Sequence, residues 1–259
     1  MVDNSISGSP VMLRLILTSL LISLSFSCVS ASAPLRLWDV EYLAGDYLNP
    51  MVYSDEIFIR DHRDRVVKRC TSKQIETMLE VMNKIRAAGE ISVRFYIVDG
   101  HKPNAFATYH EDEASVFVNF GMMDLIQADA DQWAALLGHE VAHIKLEHYE
   151  KGRKRSGPLR VLSAAANAVA KNPIAQLAGQ ALTTGISTKF SRDQERQSDY
   201  LGVIWAIETG YDPYAAAALH REMSRQSFKL NIPFISSHPS DKERIASLTE
   251  LAERLDKKR

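Results

Sequence analysis

The sequence has no marked excess of charge of either sign, few cysteines and no long hydrophobic run. Its 31 Lys and Arg residues balance 32 Asp and Glu residues, which leaves a formal net charge of −1. Because nucleic-acid-binding proteins usually carry a basic excess, we expect no nucleic-acid partner. The two cysteines are Cys28 and Cys70. Cys28 lies in a predicted leader, so a cleaved chain would retain Cys70 alone and could form no intramolecular disulfide.

The N-terminal region is typical of a secretion signal. An apolar run, Leu15–Phe26, follows a basic residue and precedes the small residues Val29–Ala33. The run is shorter than the ~20 apolar residues of a membrane-spanning helix, so we expect a signal peptide over 1–31. An uncleaved membrane anchor is the main alternative. Cys28 leaves open a further alternative, a lipoprotein leader.

One short segment, HEVAHIKLEH, contains the pattern H-E-x-x-H. Positions four apart on a helix lie within ~40° of each other, which places His139 and His143 side by side. Two imidazoles in this arrangement suit one Zn²⁺, and Glu140 beside them can take a proton from water. The pattern therefore predicts metal-assisted peptide hydrolysis. The alternative is an exposed helix that carries two surface histidines.

The residues around this pattern favour a buried site. Apolar residues recur at intervals of three or four and mark an inward face: Trp133, Leu137, Val141 and Ile144. Glu140 falls within that face, where a carboxylate without a partner would be costly. Asp129 is a predicted N-cap with Gln132 as its capping-box partner, and we expect the helix to end near Gly152.

Two histidines leave a catalytic zinc one protein ligand short. The extended pattern H-E-x-x-H-x-x-G-x-x-H fails, because Leu146 and Tyr149 occupy the added positions. The later segment SRDQERQSD instead places Glu195 and Asp199 on one face of a helix. Glu195 is the candidate third ligand. Asp199 is a candidate acceptor for the second ring N–H of a ligand histidine, which we expect to be His139. The alternative is an exposed, charged helix.

These motifs together resemble the gluzincin family that contains the CAAX-prenyl proteases and the heat-shock protease HtpX. The resemblance is carried by NAFA, GMMDL, GHEVAH, SRDQERQSD and SSHPSDKERI, and the most similar members are the small periplasmic LoiP and BepA proteins. It implies a zincin-like metallopeptidase domain over 35–259, of α+β class and mainly helical, with a small sheet beside the H-E-x-x-H helix. It also implies one Zn²⁺, periplasmic location and cleavage of unfolded or misassembled envelope proteins. Lipid on Cys28 would make the protein an outer-membrane lipoprotein.

The resemblance assigns further roles. His238 is expected either to stabilise the oxyanion or to take the fourth zinc position and hold the enzyme inactive, with Arg244 anchoring its segment. Asn104 and Ala105 are candidate substrate contacts on an edge strand, although an ordinary strand is the alternative. The remaining histidines are predicted to be surface or packing residues: His62, His101, His110, His148 and His220.

Hydrophobic periodicity and turn residues predict the order of elements. Strands are expected at 91–98, 104–110 and 114–120, and helices at 72–88, 189–209, 213–228 and 240–256. A helical hairpin of small residues is expected at 157–187. Two other functions stay open: a chaperone or assembly factor whose zinc site is latched, and a factor that associates peripherally with membranes through 151–187. The oligomeric state is not predicted.

Overall fold

Helices pack against a four-stranded mixed sheet and a separate hairpin in the described part of the chain. The computed structural model describes residues 37–47, 55–148, 190–227, 232–239 and 242–257, which all fall within the unit Ala33–Arg259. The predicted signal peptide and the predicted hairpin at 157–187 lie outside these residues. No helix among those described is long and apolar enough to cross a membrane.

The elements follow one another with short connections. The strands are β1 (Leu37–Asp39), β2 (Glu56–Arg60), β3 (Val66–Thr71), β4 (Arg94–Val98), β5 (Ala105–His110) and β6 (Glu113–Asn119). The helices are α1 (Val40–Tyr47), α2 (Ser72–Gly89), α3 (Phe120–Ile126), α4 (Ala130–Lys145), α5 (Arg192–Glu208), α6 (Ala215–Ser227), α7 (Pro233–Ser237) and α8 (Lys242–Asp256).

The main sheet has the strand order β1-β4-β6-β5, so β5 lies at an edge. Strands β4 and β6 are parallel, and β5 pairs with β6 as an antiparallel hairpin. Glu111 and Asp112 form the two-residue turn with φ of 50° and 63°, the left-handed backbone that tight hairpins favour. The three predicted strands are therefore present, and β5 contacts α4.

Helix α4 carries the H-E-x-x-H pattern through the core. The Asp129 carboxylate accepts a hydrogen bond from Gln132 N at 3.0 Å, as the predicted cap requires. All four residues of the predicted inward face are buried: Trp133, Leu137, Val141 and Ile144. The predicted end near Gly152 is wrong, because the helix ends at Lys145. Glu147 adopts a φ of 57°, a left-handed conformation that breaks the helical path.

Helices α4 and α5 meet backbone to backbone. A Cβ atom on Gly202 would lie 2.9 Å from the main-chain nitrogen of His139, and one on Gly138 would lie 3.1 Å from Gly202 O. Only residues without a side chain permit this approach. The N-terminus of α5 is fixed by a capping box between Ser191 and Gln194. The crossing and the cap together hold the inward face of α5 against the histidines of α4.

Candidate metal centre

Four buried side chains from α4, α5 and the residue after α7 converge on one point. One nitrogen or oxygen from each of His139, His143, Glu195 and His238 lies within 4.8 Å of all the others. His139 Nε2 is 3.0 Å from His143 Nε2 and 3.1 Å from His238 Nδ1. Glu195 Oε1 lies 3.4 Å from His143 Nε2 and 3.1 Å from His238 Nδ1. Glu195 Oε2 lies 3.5 Å from His139 Nε2.

These separations fit a zinc ion. Zn²⁺ takes imidazole nitrogen and carboxylate oxygen at ~2.1 Å in a tetrahedral arrangement, which places neighbouring donors ~3.4 Å apart. The observed donor separations of 3.0 to 3.5 Å bracket that value. The predicted set of His139, His143 and Glu195 is therefore brought together, and His238 joins it.

A carboxylate and a guanidinium lie against the cluster and support it. Asp199 Oδ1 lies 3.0 Å from His139 Nδ1, the contact predicted for it. Arg244 donates to both carboxylate oxygens of Asp199, at 2.9 and 2.7 Å, and also contacts Glu195 Oε2. It donates in addition to Pro239 O at 3.2 Å. Arg244 thus joins α5 to the His238–Pro239 segment, as the family resemblance implied.

Protonation of the cluster follows from burial and neighbouring charge. Burial lowers the pKa of His143 well below its ordinary value, although Glu195 opposes this. Burial would raise the pKa of Glu195, but His238 and His143 hold it far below its usual range. Burial likewise opposes ionisation of Asp199, and Arg244 and His139 hold the pKa of that carboxyl low. A neutral imidazole and an ionised carboxylate are the forms that bind a metal.

Glu140 is fully buried next to these donors. Neither of its carboxylate oxygens has a hydrogen-bond partner among the described residues. His238 Nε2 lies 3.4 Å from Oε1. Burial raises the pKa of Glu140, while the charges of His238 and His139 oppose that rise. A buried carboxylate without a hydrogen bond is costly, and such groups are typical of sites where a proton is accepted from a reacting molecule.

His238 is held in place by two aromatic neighbours and the chain around it. Phe234 stacks on its ring with centroids 4.6 Å apart, and Phe190 lies 5.3 Å away. Burial would lower the pKa of His238, but Glu140 and Glu195 raise it above its ordinary value. Its Nδ1 faces the donor cluster while its Nε2 faces Glu140. The geometry is therefore compatible with both predicted roles.

The two predicted substrate contacts, Asn104 and Ala105, lie at the start of strand β5. Ala105 begins edge strand β5 and is fully buried. Asn104 precedes the strand and bonds through its main chain to Asn119. Neither residue belongs to the donor cluster.

His148 was predicted to be a surface or packing residue, and its contact with His143 was not predicted. Its side chain is buried, and its Nδ1 lies 3.1 Å from Nδ1 of His143. Phe190, for which no role was predicted, stacks on His143 with centroids 3.8 Å apart. The sequence signal for His148 was its proximity to the motif, but its direction depends on the left-handed residue Glu147 that precedes it.

Comparisons with known proteins agree with this geometry. The family described as Peptidase family M48 matches residues 70–252. The chain is 27% identical over 184 residues to the mitochondrial metalloendopeptidase OMA1 of Schizosaccharomyces pombe, covering 70% of this chain and 52% of that protein. It is 24% identical over 160 residues to the OMA1 of Arabidopsis thaliana, covering 62% and 32%. It is 25% identical over 237 residues to a protease HtpX homolog of Salinibacter ruber, covering 78% and 83%. The chain thus spans about half the length of the first relative and about a third of the second.

Proposed function

We propose that this chain, which belongs to peptidase family M48, is a zinc endopeptidase with its metal on His139, His143 and Glu195. The observation that carries the proposal is the convergence of these three side chains beside the buried carboxylate of Glu140, which has no hydrogen bond among the described residues. The match to peptidase family M48 over residues 70–252 contains all three, and the relatives include proteins named mitochondrial metalloendopeptidase OMA1 and protease HtpX homolog. A structural zinc site would be closed by four protein ligands and would need no such carboxylate.

Each residue has a defined task in peptide hydrolysis. A bound Zn²⁺ would polarise the scissile carbonyl and acidify a water molecule. Glu140 accepts the proton of that water and later delivers it to the leaving amine. Asp199 accepts the Nδ1–H of His139 and so keeps the Nε2 lone pair of that ring directed at the cluster. The predicted substrate contacts Asn104 and Ala105 lie at the start of edge strand β5, and this strand is the proposed pairing edge for an extended substrate.

His238 supports a second candidate function. Its Nδ1 lies as close to Glu195 and His139 as the proposed ligands lie to each other. With His238 as a fourth ligand the site would be closed, and the protein would act as a zinc-containing chaperone or assembly factor. With His238 displaced from the metal, its imidazole N–H would be available to stabilise an oxyanion.

The proposed substrates are unfolded or misassembled envelope proteins, and the proposed location is the periplasm. The support is the signal-peptide pattern over 1–31 and the resemblance of the motifs to periplasmic quality-control proteases. Lipidation at Cys28 would place the mature domain, proposed over 35–259, at the outer membrane. Association with a membrane surface through 151–187 is the remaining alternative for its partners. The net charge of −1 supports the proposal of no nucleic-acid partner.

The test compares the wild type with Glu140→Gln for zinc content and for cleavage of unfolded casein. The proposal requires one zinc in each protein and cleavage by the wild type alone, because glutamine keeps the shape of the side chain but accepts no proton. Cleavage by Glu140→Gln at the wild-type rate would refute the mechanism.

A third variant, His238→Ala, separates the two candidate functions. If the wild type binds zinc without cleaving casein and His238→Ala cleaves it, His238 latches a peptidase. If zinc is bound and no variant cleaves, the chaperone candidate is favoured.

A further inference from the structure

His148 lies where it can control a proposed metal ligand. It follows the left-handed residue Glu147, which turns the chain back toward α4. Its side chain is 1% exposed, and its Nδ1 lies 3.1 Å from Nδ1 of His143. That is the ring nitrogen of His143 that does not face the donor cluster. His148 therefore contacts the Nδ1 of His143 in the same way that Asp199 contacts the Nδ1 of His139.

The hydrogen bonds of His148 determine which nitrogen carries a proton. Its Nε2 lies 3.0 Å from Oε1 of Gln197, an oxygen that can only accept. With the Gln197 amide in this orientation Nε2 donates, and in a neutral imidazole the other nitrogen, Nδ1, is then an acceptor. The 3.1 Å contact with His143 consequently runs from His143 Nδ1–H to His148 Nδ1. This leaves the Nε2 of His143 unprotonated and directed at the donor cluster.

Two neighbours complete the arrangement without setting the tautomer. Phe190 stacks on the ring of His143 and restricts its rotation. The hydroxyl of Ser198 lies 3.3 Å from His148 Nδ1, and a hydroxyl can either donate or accept. The acceptor on Gln197 is thus the group that gives the chain of hydrogen bonds its direction.

We propose that His148 is a positioning residue that holds His143 in the tautomer whose Nε2 binds the metal, with Gln197 fixing His148 in turn. The proposal rests on the proposed metal site. It adds to that site a hydrogen-bonded pair of neutral imidazoles. Groups that orient a metal ligand in this way typically change metal affinity by ~10- to 100-fold when they are removed.

Nitrogen NMR of the zinc-loaded full chain, labelled with ¹⁵N-histidine, reads the tautomers directly. The expected spectrum at pH 8 shows His148 protonated at Nε2 only and His143 protonated at Nδ1 only. His148 protonated at Nδ1, or at both nitrogens, would overturn the proposal. Because this measurement uses the wild type, it does not depend on the folding of a variant.

Zinc affinity, measured by competition with a chromophoric chelator, tests the energetic consequence. His148→Leu removes the acceptor and should weaken zinc binding by ~10- to 100-fold. His148→Asn offers an amide oxygen near the place of Nδ1 and should bind zinc within a few-fold of the wild type. His101→Leu, at an exposed position, is the matched control and should bind like the wild type.

A second variant, at the exposed residue Gln197, tests the proposal in case substitution of the buried residue His148 prevents folding. Gln197→Met removes the acceptor with little change in size and should weaken zinc binding by several-fold. Wild-type affinity in both His148→Leu and Gln197→Met would refute the proposal, as would equal weakening by His148→Leu and His148→Asn. All of these readouts are made without substrate, so a wild type that binds zinc but cleaves nothing would count against the peptidase function alone. A wild type that binds no zinc would refute both.

Discussion

Replacing Gly202 by alanine should separate the two helices that supply the proposed ligands. The added Cβ would lie 2.9 Å from His139 N and 3.0 Å from Gly138 C, both main-chain atoms that cannot rotate away. Carbon atoms pack at ~3.5 to 4.0 Å, so α5 must move away from α4 by ~0.5 to 1 Å. Glu195 lies on α5 two turns before this contact and would move with it.

The expected magnitude follows from the tolerance of zinc sites. Ligand distances in such sites hold to within ~0.2 Å, so the predicted movement is several times too large. We expect Gly202→Ala to lose most of its zinc affinity and casein cleavage, and to lose ~1 to 3 kcal/mol of stability through overpacking. The assays are chelator competition, proteolysis and denaturant unfolding of the metal-free protein.

A glycine elsewhere in the chain offers a matched control. A Cβ on Gly45, in helix α1, would meet nothing within 4 Å. Gly45→Ala should therefore leave zinc binding unchanged and stabilise α1 by ~0.5 to 1 kcal/mol. Gly138→Ala, whose Cβ would lie 3.1 Å from the nearest atom, should give an intermediate loss. Wild-type zinc affinity in Gly202→Ala would show that the close crossing does not position Glu195.

Three further predictions concern charge and burial. Arg244→Ala leaves buried carboxylates without their cation and should cost ~3 to 5 kcal/mol in urea unfolding, whereas Arg192→Ala, which breaks an exposed pair with Glu243, should cost ~0 to 1 kcal/mol. Folding lowers the pKa of Asp199, so this carboxylate stabilises the fold above pH 3.8, its ordinary pKa, and the stabilisation is lost as the pH falls below 3.8. Asp199→Asn should therefore make the stability of the metal-free protein depend less on pH in this range. Unfolding measured between pH 2 and 5 checks this. Burial raises the pKa of Cys70 to about 11, so peptide mapping should find it unalkylated by iodoacetamide at pH 8 in the folded chain and alkylated in urea.

The local signals in the sequence predicted most of the helices and the three proposed ligands. Asp129 caps α4 as expected, and Thr71 caps α2 with its hydroxyl accepting from Gln74 N at 3.1 Å. The spacing of Glu195 and Asp199 predicted that both face inward, and both are buried. Such features depend on residues within one or two helical turns of each other, so they can be predicted from the local sequence.

Features that depend on unusual backbone or distant contacts were not predicted. The hairpin of β2 and β3 turns without glycine, because the Asp61 carboxylate accepts hydrogen bonds from the main-chain nitrogens of Arg63 and Arg65. The end of α4 depends on a left-handed Glu147, a conformation that few non-glycine residues adopt. The inward turn of His148 follows from that residue and could not be inferred from helical spacing.

The contacts of Arg244 with Glu195 and Asp199 have a consequence for when the site can assemble in a growing chain. A growing chain that ends after α5 already contains all three proposed zinc ligands, but it lacks both Arg244 and His238. Its buried carboxylates Glu195 and Asp199 would then have no guanidinium to neutralise them, which disfavours the packing of α5 against α4. Chains are made from the N-terminus, so α5 exists before α8 does. A chain that has not yet made α8 should therefore lack the assembled site.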